Sequence, residues 1–193
     1  MNESILIQPP ASVRQIEALS TKLDFGMASE PRTGALLATL AASKPGGQFL
    51  ELGTGTGIAT AWLLSGMDAA STLISVDIKP DFQAVARQVH GHDPRLTLVA
   101  EDGIQFLNKQ KLKSFDLIFA DAMPGKYESL DETLALVKTG GFYVIDDMLP
   151  QPNWPEGHDA KAAALIDRLS RETKFQIAPL SWSSGVILLV RRV

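Results

Sequence analysis

Acidic residues close successive short apolar runs in this 193-residue chain. Asp77 follows the run 73–76, Asp102 comes just after 96–99, Asp121 follows 115–120, and Asp146 and Asp147 follow 142–145. Carboxylates at neighbouring strand ends can accept hydrogen bonds from ribose hydroxyls or amines, or hold a hard cation. Ahead of them lies Glu51-Leu52-Gly53-Thr54-Gly55-Thr56-Gly57, an apolar run passing into a glycine-rich turn. Alternate glycines let the backbone turn sharply and let a ligand approach where a Cβ would collide, and a helix starting after Gly57 offers free N–H groups. The spacing is Gly-x-Gly-x-Gly and not the Gly-x-Gly-x-x-Gly of dinucleotide folds, and no Gly-Lys-Ser/Thr follows, which excludes a P-loop. A cleft walled by Glu51, Asp77, Asp102 and Asp121 suits a cationic ligand better than a pyrophosphate.

Several of these residues admit two roles. Asp77 can accept from both hydroxyls of a ribose, or cap a helix beginning near Pro80. Asp102 can take an exocyclic adenine amine, cap the following helix, or do both. Asp121, Asp146 and Asp147 gather three negative charges whose repulsion calls for an offset by a cation, by protons or by a nearby base. Mg2+ or Ca2+ suits such a set; the alternative is that Asp121 and Asp146 only shape the pocket. Candidate proton acceptors are Lys126 and His158, the second ending an irregular loop, 148–158, that contains Pro150, Pro152, Pro155 and Gly157. Trp154 in that loop can line a substrate pocket or pack the loop.

Such residues need a scaffold to bring them together. The runs at 49–52, 73–76, 96–99 and 115–120 are apolar nearly throughout, as strands covered on both faces require, and about 20 residues separate each from the next, room for a crossover helix. Helices are expected at 58–65, 80–89, 104–112, 130–137 and 159–171, a fifth strand at 142–145, and a hairpin of strands 175–180 and 186–190. Two helices precede the first strand. Ser12 and Gln15 form a capping-box pattern opening one of them, with Ile16, Leu19 and Leu23 on a single face; the other follows Pro31. Ser129 and Glu132 form a second capping-box pattern. The reading is one α/β domain, with a helical extension at 1–47 and the core at 48–193.

Composition narrows the class. With 45% hydrophobic and 21% charged residues, the chain can bury a sizeable core. Eighteen Lys and Arg against 22 Asp and Glu, with no basic block, disfavour a nucleic-acid binder. The absence of cysteine excludes disulfides and thiol nucleophiles. The first ten residues hold Glu3 and no basic segment, so no secretory signal is read there, and no apolar stretch is long enough to cross a bilayer; a cytoplasmic location is expected.

On these motifs the chain resembles the class I S-adenosylmethionine-dependent methyltransferases, and within them the small O-methyltransferases of the catechol and caffeoyl-CoA type. The resemblance runs from about Met27 to Arg192. Glu51 to Gly57 is similar to the family's first motif, Asp77 to its ribose-binding acid, Phe115 to Ala122 to its fourth-strand motif, and Gly140 to Asp147 to its fifth strand. Met27-Ala28-Ser29-Glu30 and Gly34 sit where this subgroup has a cofactor-covering segment. The resemblance implies a Rossmann-like, doubly wound, mostly parallel seven-stranded sheet in order 3-2-1-4-5-7-6 with strand 7 antiparallel. It implies S-adenosylmethionine as cofactor, bound by Met27, Glu51, Gly53, Thr54, Gly55, Gly57, Asp77, Asp102 and Asp121.

The activity implied is methyl transfer to a hydroxyl of a small planar acceptor, an in-line displacement that needs alignment and removal of a proton. Catalytic roles fall to Asp121, Lys126 and His158. Metal-dependent members hold a divalent cation with an Asp after strand 4 and an Asp-Asn pair after strand 5, so Mg2+ is expected at Asp121, Asp146 and Asp147, although the Asn position is Asp147 here. Those members also place a lysine three residues after the first Asp, where this chain has Pro124, with Lys126 two positions later. The expected partners are a small-molecule acceptor and a second copy paired through Ile16, Leu19 and Leu23, with no nucleic acid or membrane. The alternatives are a cofactor-binding protein without catalysis and a nicotinamide-dependent oxidoreductase.

Overall fold

The computed structural model describes residues 3–152 and 154–193. Met1 and Asn2, and Asn153 of the proline-rich loop, lie outside the described residues. Each expected apolar run is a strand: β1 (Gln48–Leu52), β2 (Thr72–Asp77), β3 (Leu96–Ala100), β4 (Phe115–Ala120), β5 (Val137–Ile145), β6 (Phe175–Leu180) and β7 (Val186–Arg191). They form one seven-stranded sheet in the order β3-β2-β1-β4-β5-β7-β6. Neighbours from β3 to β5 pair in parallel, and β7 is antiparallel to both β5 and β6. The order reverses between β1 and β4, so their carboxyl ends open a crevice at a topological switch point, the place where such sheets bind ligands.

The flanking helices are α1 (Glu3–Leu6), α2 (Ala11–Lys22), α3 (Pro31–Ala42), α4 (Ile58–Gly66), α5 (Pro80–His90), α6 (Gly103–Leu107), α7 (Met123–Lys126), α8 (Leu130–Leu136) and α9 (His158–Ser170). Alternation along β1 sends Leu50 and Leu52 into a core with Ile118, Tyr143 and Leu165, and sends Phe49 into the opposite core with Leu63, Leu117 and Phe119. α4 is buried from Ile58 to Leu64, so its apolar character all round is explained by cover on every side. Gly34 of α3 lets this cover form, because a Cβ there would lie 2.3 Å from the Trp62 indole.

The amino-terminal helices belong to this packing. Val13 and Ile16 of α2 join Ile58, Trp62, Val85 and Val89 in a third cluster, and Ile16 is fully buried. Ile16 is therefore used within the chain, contributing about 2 kcal/mol by burial, and only Leu23 of the expected pairing stripe is well exposed, at 42%.

Neither capping box forms. α2 starts at Ala11 behind Pro10, which leaves Ser12 inside the first turn, and no side chain caps it. Ser129 takes a left-handed φ of 53°, whereas a capping side chain reaches the first-turn N–H groups from extended backbone. α6 is also shorter than the expected 104–112, ending at Leu107. Among the described residues no helix is long and apolar enough to cross a membrane.

Candidate active site

The glycine turn is tied down by its own chain. The Gly53 and Thr54 N–H groups donate to the Val76 carbonyl, at 2.9 and 3.3 Å. The Gly55 N–H donates to Asp77 Oδ2 at 2.7 Å, while Asp77 Oδ1 accepts from the Lys79 N–H at 2.8 Å. Asp77 thus closes β2 by clamping the turn beside it. Gly53 has φ +100°, and a Cβ there would sit 2.7 Å from the Asp121 carbonyl oxygen; one on Gly55 would sit 2.7 Å from the Phe25 ring. Gly57 does not line the resulting cavity: its missing Cβ faces Ala86 of α5, so it serves the turn and not a ligand wall.

Glu51 likewise supports from behind. It is fully buried and off the cavity surface, and its Oε2 accepts from Thr60 and Ser75 hydroxyls, both at 2.5 Å, while Oε1 has no partner. Burial pushes its pKa up to about 7, against the lowering by those two hydroxyls. Between the ordinary value of 4.5 and about 7 the folded chain keeps a proton that the unfolded chain has lost, so this group's contribution to stability falls as pH rises through that window. Relative to wild type, Glu51→Gln is expected to gain about 3 kcal/mol across that window. Urea unfolding at a series of pH values checks it; parallel pH dependences would show that Glu51 is ionised throughout.

Three cavities line up along the strand ends. A cavity of about 200 Å³ is walled by Phe25, Met27, the turn from Gly53 to Thr56, Asp77 and Asp121. Beside it, about 350 Å³ is bounded by Gly53, Asp77, Ile78, Asp102 and Met123. Asp102 caps α6 by accepting from the Gln105 N–H at 2.9 Å and also faces this space, so capping and ligand contact are compatible. The third, about 400 Å³, gathers Lys126, Tyr127, Asp146, Asp147, Trp154 and His158. It shares Met27, Ala28, Ser29, Asp121 and Ala122 with the first. A separate apolar cavity of about 450 Å³ between α9 and β6 contains none of the expected site residues.

The third cavity is electrostatically tense. Burial, then the charges of Asp146 and Asp147, raise the Asp121 pKa well above its ordinary value. Asp146 is pushed up to about 6, chiefly by burial. Lys126 is only 4% exposed; burial lowers its pKa, and all three aspartates pull it back up. Its inward direction comes from α7, which is kinked: Pro124 has ψ 136° and Gly125 has φ 80°. The Gly125 N–H donates to the Glu128 carbonyl at 2.7 Å, and the buried Tyr143 hydroxyl donates to the Gly125 carbonyl.

The three aspartates share this cavity but do not form the expected Mg2+ site. Among the described residues no group of three or more His, Cys, Asp or Glu is arranged to hold a metal ion. Asp146 Oδ1 already accepts from Ser184 Oγ at 2.7 Å and from the Asp147 N–H at 3.0 Å, and Asp121 Oδ2 accepts from Ser29 Oγ at 3.3 Å. The same cavity holds a buried cation, Lys126, whose Nζ donates to the Asp147 backbone carbonyl at 3.4 Å.

Sequence reasoning missed Tyr127, Phe25 and the Ser29 tie. Tyr127 Oη lies 3.0 Å from His158 Nε2, and the Trp154 ring packs on the imidazole with centroids 4.5 Å apart. Phe25 packs against Phe82, ring centroids 4.9 Å apart and planes tilted by 60°, and its ring borders Gly55. An aromatic residue directly after Lys126 is the only sequence signal that pointed toward Tyr127.

Residues 50–148 match the methyltransferase domain family. A Mycobacterium ulcerans protein named as a candidate O-methyltransferase is 36% identical over 180 residues, 88% of this chain and 80% of that protein. The structure of the O-methyltransferase TomG from Streptomyces achromogenes, in complex with S-adenosylmethionine, superposes with a TM-score of 0.85 at 18% identity, covering 99% of this chain and 94% of that one. An O-methyltransferase from Bacillus cereus in complex with S-adenosylhomocysteine gives 0.83 at 18% identity, covering 98% and 94%. At such identities the likeness speaks for the fold.

Proposed function

The chain belongs to the methyltransferase domain family, as a class I S-adenosylmethionine-dependent methyltransferase, and from that premise we propose that it methylates a hydroxyl of a small planar acceptor. One observation carries the reading: the glycine-turn cavity and the Lys126–His158 cavity share a wall at Met27, Ser29 and Asp121, so a donor in the first would meet an acceptor in the second. The turn backbone, Asp77 and Asp102 would hold the cofactor, whose cationic sulfonium suits acidic walls. When bound, S-adenosylmethionine supplies the methyl group: its carbon–sulfur bond breaks with the electron pair left on sulfur as the carbon–oxygen bond forms.

The chain's own residues align the acceptor and remove its proton. Tyr127, Met123 and Trp154 offer flat or flexible walls for a planar acceptor. Burial, with Asp147 nearby, pushes the Tyr127 phenol up to about 12, so it keeps its proton and can donate it to His158 Nε2 in the tautomer that carries its hydrogen on Nδ1. His158 has its pKa lowered by burial and then by the Lys126 charge, which favours the neutral imidazole. The acceptor's proton passes to Tyr127 Oη as the phenolic proton passes to His158. No step is routed through Mg2+. Pairing of two copies would have to use surfaces other than Ile16.

Calorimetric titration with S-adenosylhomocysteine, followed by a labelled-methyl screen of phenolic, catecholic and carboxylic acceptors, tests this reading; no binding would sink it, and binding without transfer to any acceptor would favour a non-catalytic role. In the same titration Asp77→Ala is expected to weaken binding by about 1 to 3 kcal/mol, the scale of lost hydrogen bonds to a charged group. Asp77→Asn should lose less, because its amide oxygen can still accept from the Gly55 N–H. Unchanged affinity in both would move the ribose site elsewhere.

A further inference from the structure

We propose that the Lys126 ammonium is the resident cation of the acceptor cavity, meeting the acceptor oxygen directly, so that the three aspartates serve a lysine and not a divalent metal. The proposal rests on the methyl-transfer reading for what Lys126 touches, but its charge arrangement stands on the structure alone. A cation that is 4% exposed needs compensating partners, and Asp121, Asp146 and Asp147 line the same cavity as Lys126. Lys126 Nζ also lies over the Tyr127 ring, 5.0 Å from the centroid.

The backbone is built to deliver this side chain. The Pro124–Gly125 kink is held by the Gly125 to Glu128 hydrogen bond and the Tyr143 hydroxyl, and a Cβ on Gly125 would lie 2.5 Å from the Leu52 side chain. A kink fixed from both sides gives Lys126 a defined position, in contrast to a flexible surface lysine. An ammonium has three N–H donors, and among the described residues Lys126 makes one hydrogen bond, to the Asp147 carbonyl at 3.4 Å. Lys126 lines the cavity that Tyr127 and His158 also line. An oxygen bound there would gain a charge-assisted hydrogen bond that strengthens as negative charge develops during proton loss. A divalent ion would have to displace a buried lysine, and two of the carboxylate oxygens it would need, Asp146 Oδ1 and Asp121 Oδ2, already accept from Ser184, the Asp147 N–H and Ser29.

The test uses Mn2+ as probe, with bound and free ion distinguished by electron paramagnetic resonance, on the wild type, Lys126→Arg and Lys126→Ala. The wild type and the arginine variant are expected to leave Mn2+ free up to millimolar concentration. The alanine variant, whose three aspartates lose their cation, is expected to bind Mn2+ at least about tenfold more tightly, the scale on which ligand charge tunes such sites. Adding Asp146→Asn to the alanine variant should remove that gain. Calorimetry with S-adenosylhomocysteine on the same samples reports whether each variant is folded, and Lys126→Gln replaces the alanine variant should that fail. Mn2+ binding by the wild type, or no gain in either neutral variant, overturns the proposal. Failure of the methyl-transfer reading would appear separately, as absent S-adenosylhomocysteine binding, while the Mn2+ result still judges the charge arrangement.

Discussion

His158→Ala is expected to lower kcat about 10²- to 10⁴-fold with a much smaller change in KM, the scale of losing a positioned general base. Tyr127→Phe should fall in the same range, because Tyr127 Oη is the group that contacts His158 Nε2 at 3.0 Å. The pH dependence separates this role from a structural one. Wild-type kcat should fall as acid protonates His158, through a pKa that burial and the Lys126 charge hold below 6.5, and that limb should vanish in the alanine variant. Steady-state kinetics across pH, once an acceptor is in hand, checks both points. A loss of only a few-fold with the acid limb intact would remove His158 from the proton path.

The second large effect belongs to the glycine turn. Gly53→Val is expected to destabilise the fold by about 3 kcal/mol or more, combining the strain of a β-branched residue at positive φ with overpacking. The strain arises at φ +100°, and the clash is with backbone, the Asp121 carbonyl 2.7 Å from the added Cβ, which cannot rotate aside. Gly53→Ala keeps both penalties in milder form. Cofactor binding should fail along with stability, since moving Gly53 shifts Thr54 and Gly55 away from Val76 and Asp77. Urea unfolding and S-adenosylhomocysteine calorimetry measure the two losses. Wild-type values for both would mean that the turn relaxes without strain.

The elements were legible because their signals are local. A run such as Phe115 to Ala120, apolar almost throughout, has few solutions other than a strand covered on both faces, and it is one. Three glycines at alternate positions after such a run demand a left-handed turn, and Gly53, Gly55 and Gly57 all take positive φ. The capping boxes misled because the side-chain pattern does not specify the backbone entering the helix. Pro10 set one start and a left-handed Ser129 set the other.

By itself, then, the sequence determined the parallel sheet, the turn between β1 and α4, and the acids at the strand ends, all of which follow from periodicity and backbone preference over a few residues. Only the tertiary structure decided what those acids face. Lys126 turns inward because Tyr143 of β5 and Glu128 hold the Gly125 kink, and His158, which opens α9, meets Tyr127, which follows α7, across 31 residues of chain. Glu51, read as a ligand contact, became a buried prop because Thr60 and Ser75 close over it from α4 and β2. Each outcome depends on contacts between segments far apart in the chain, and packing selects those contacts by shape and charge without leaving a local pattern in the residues that make them.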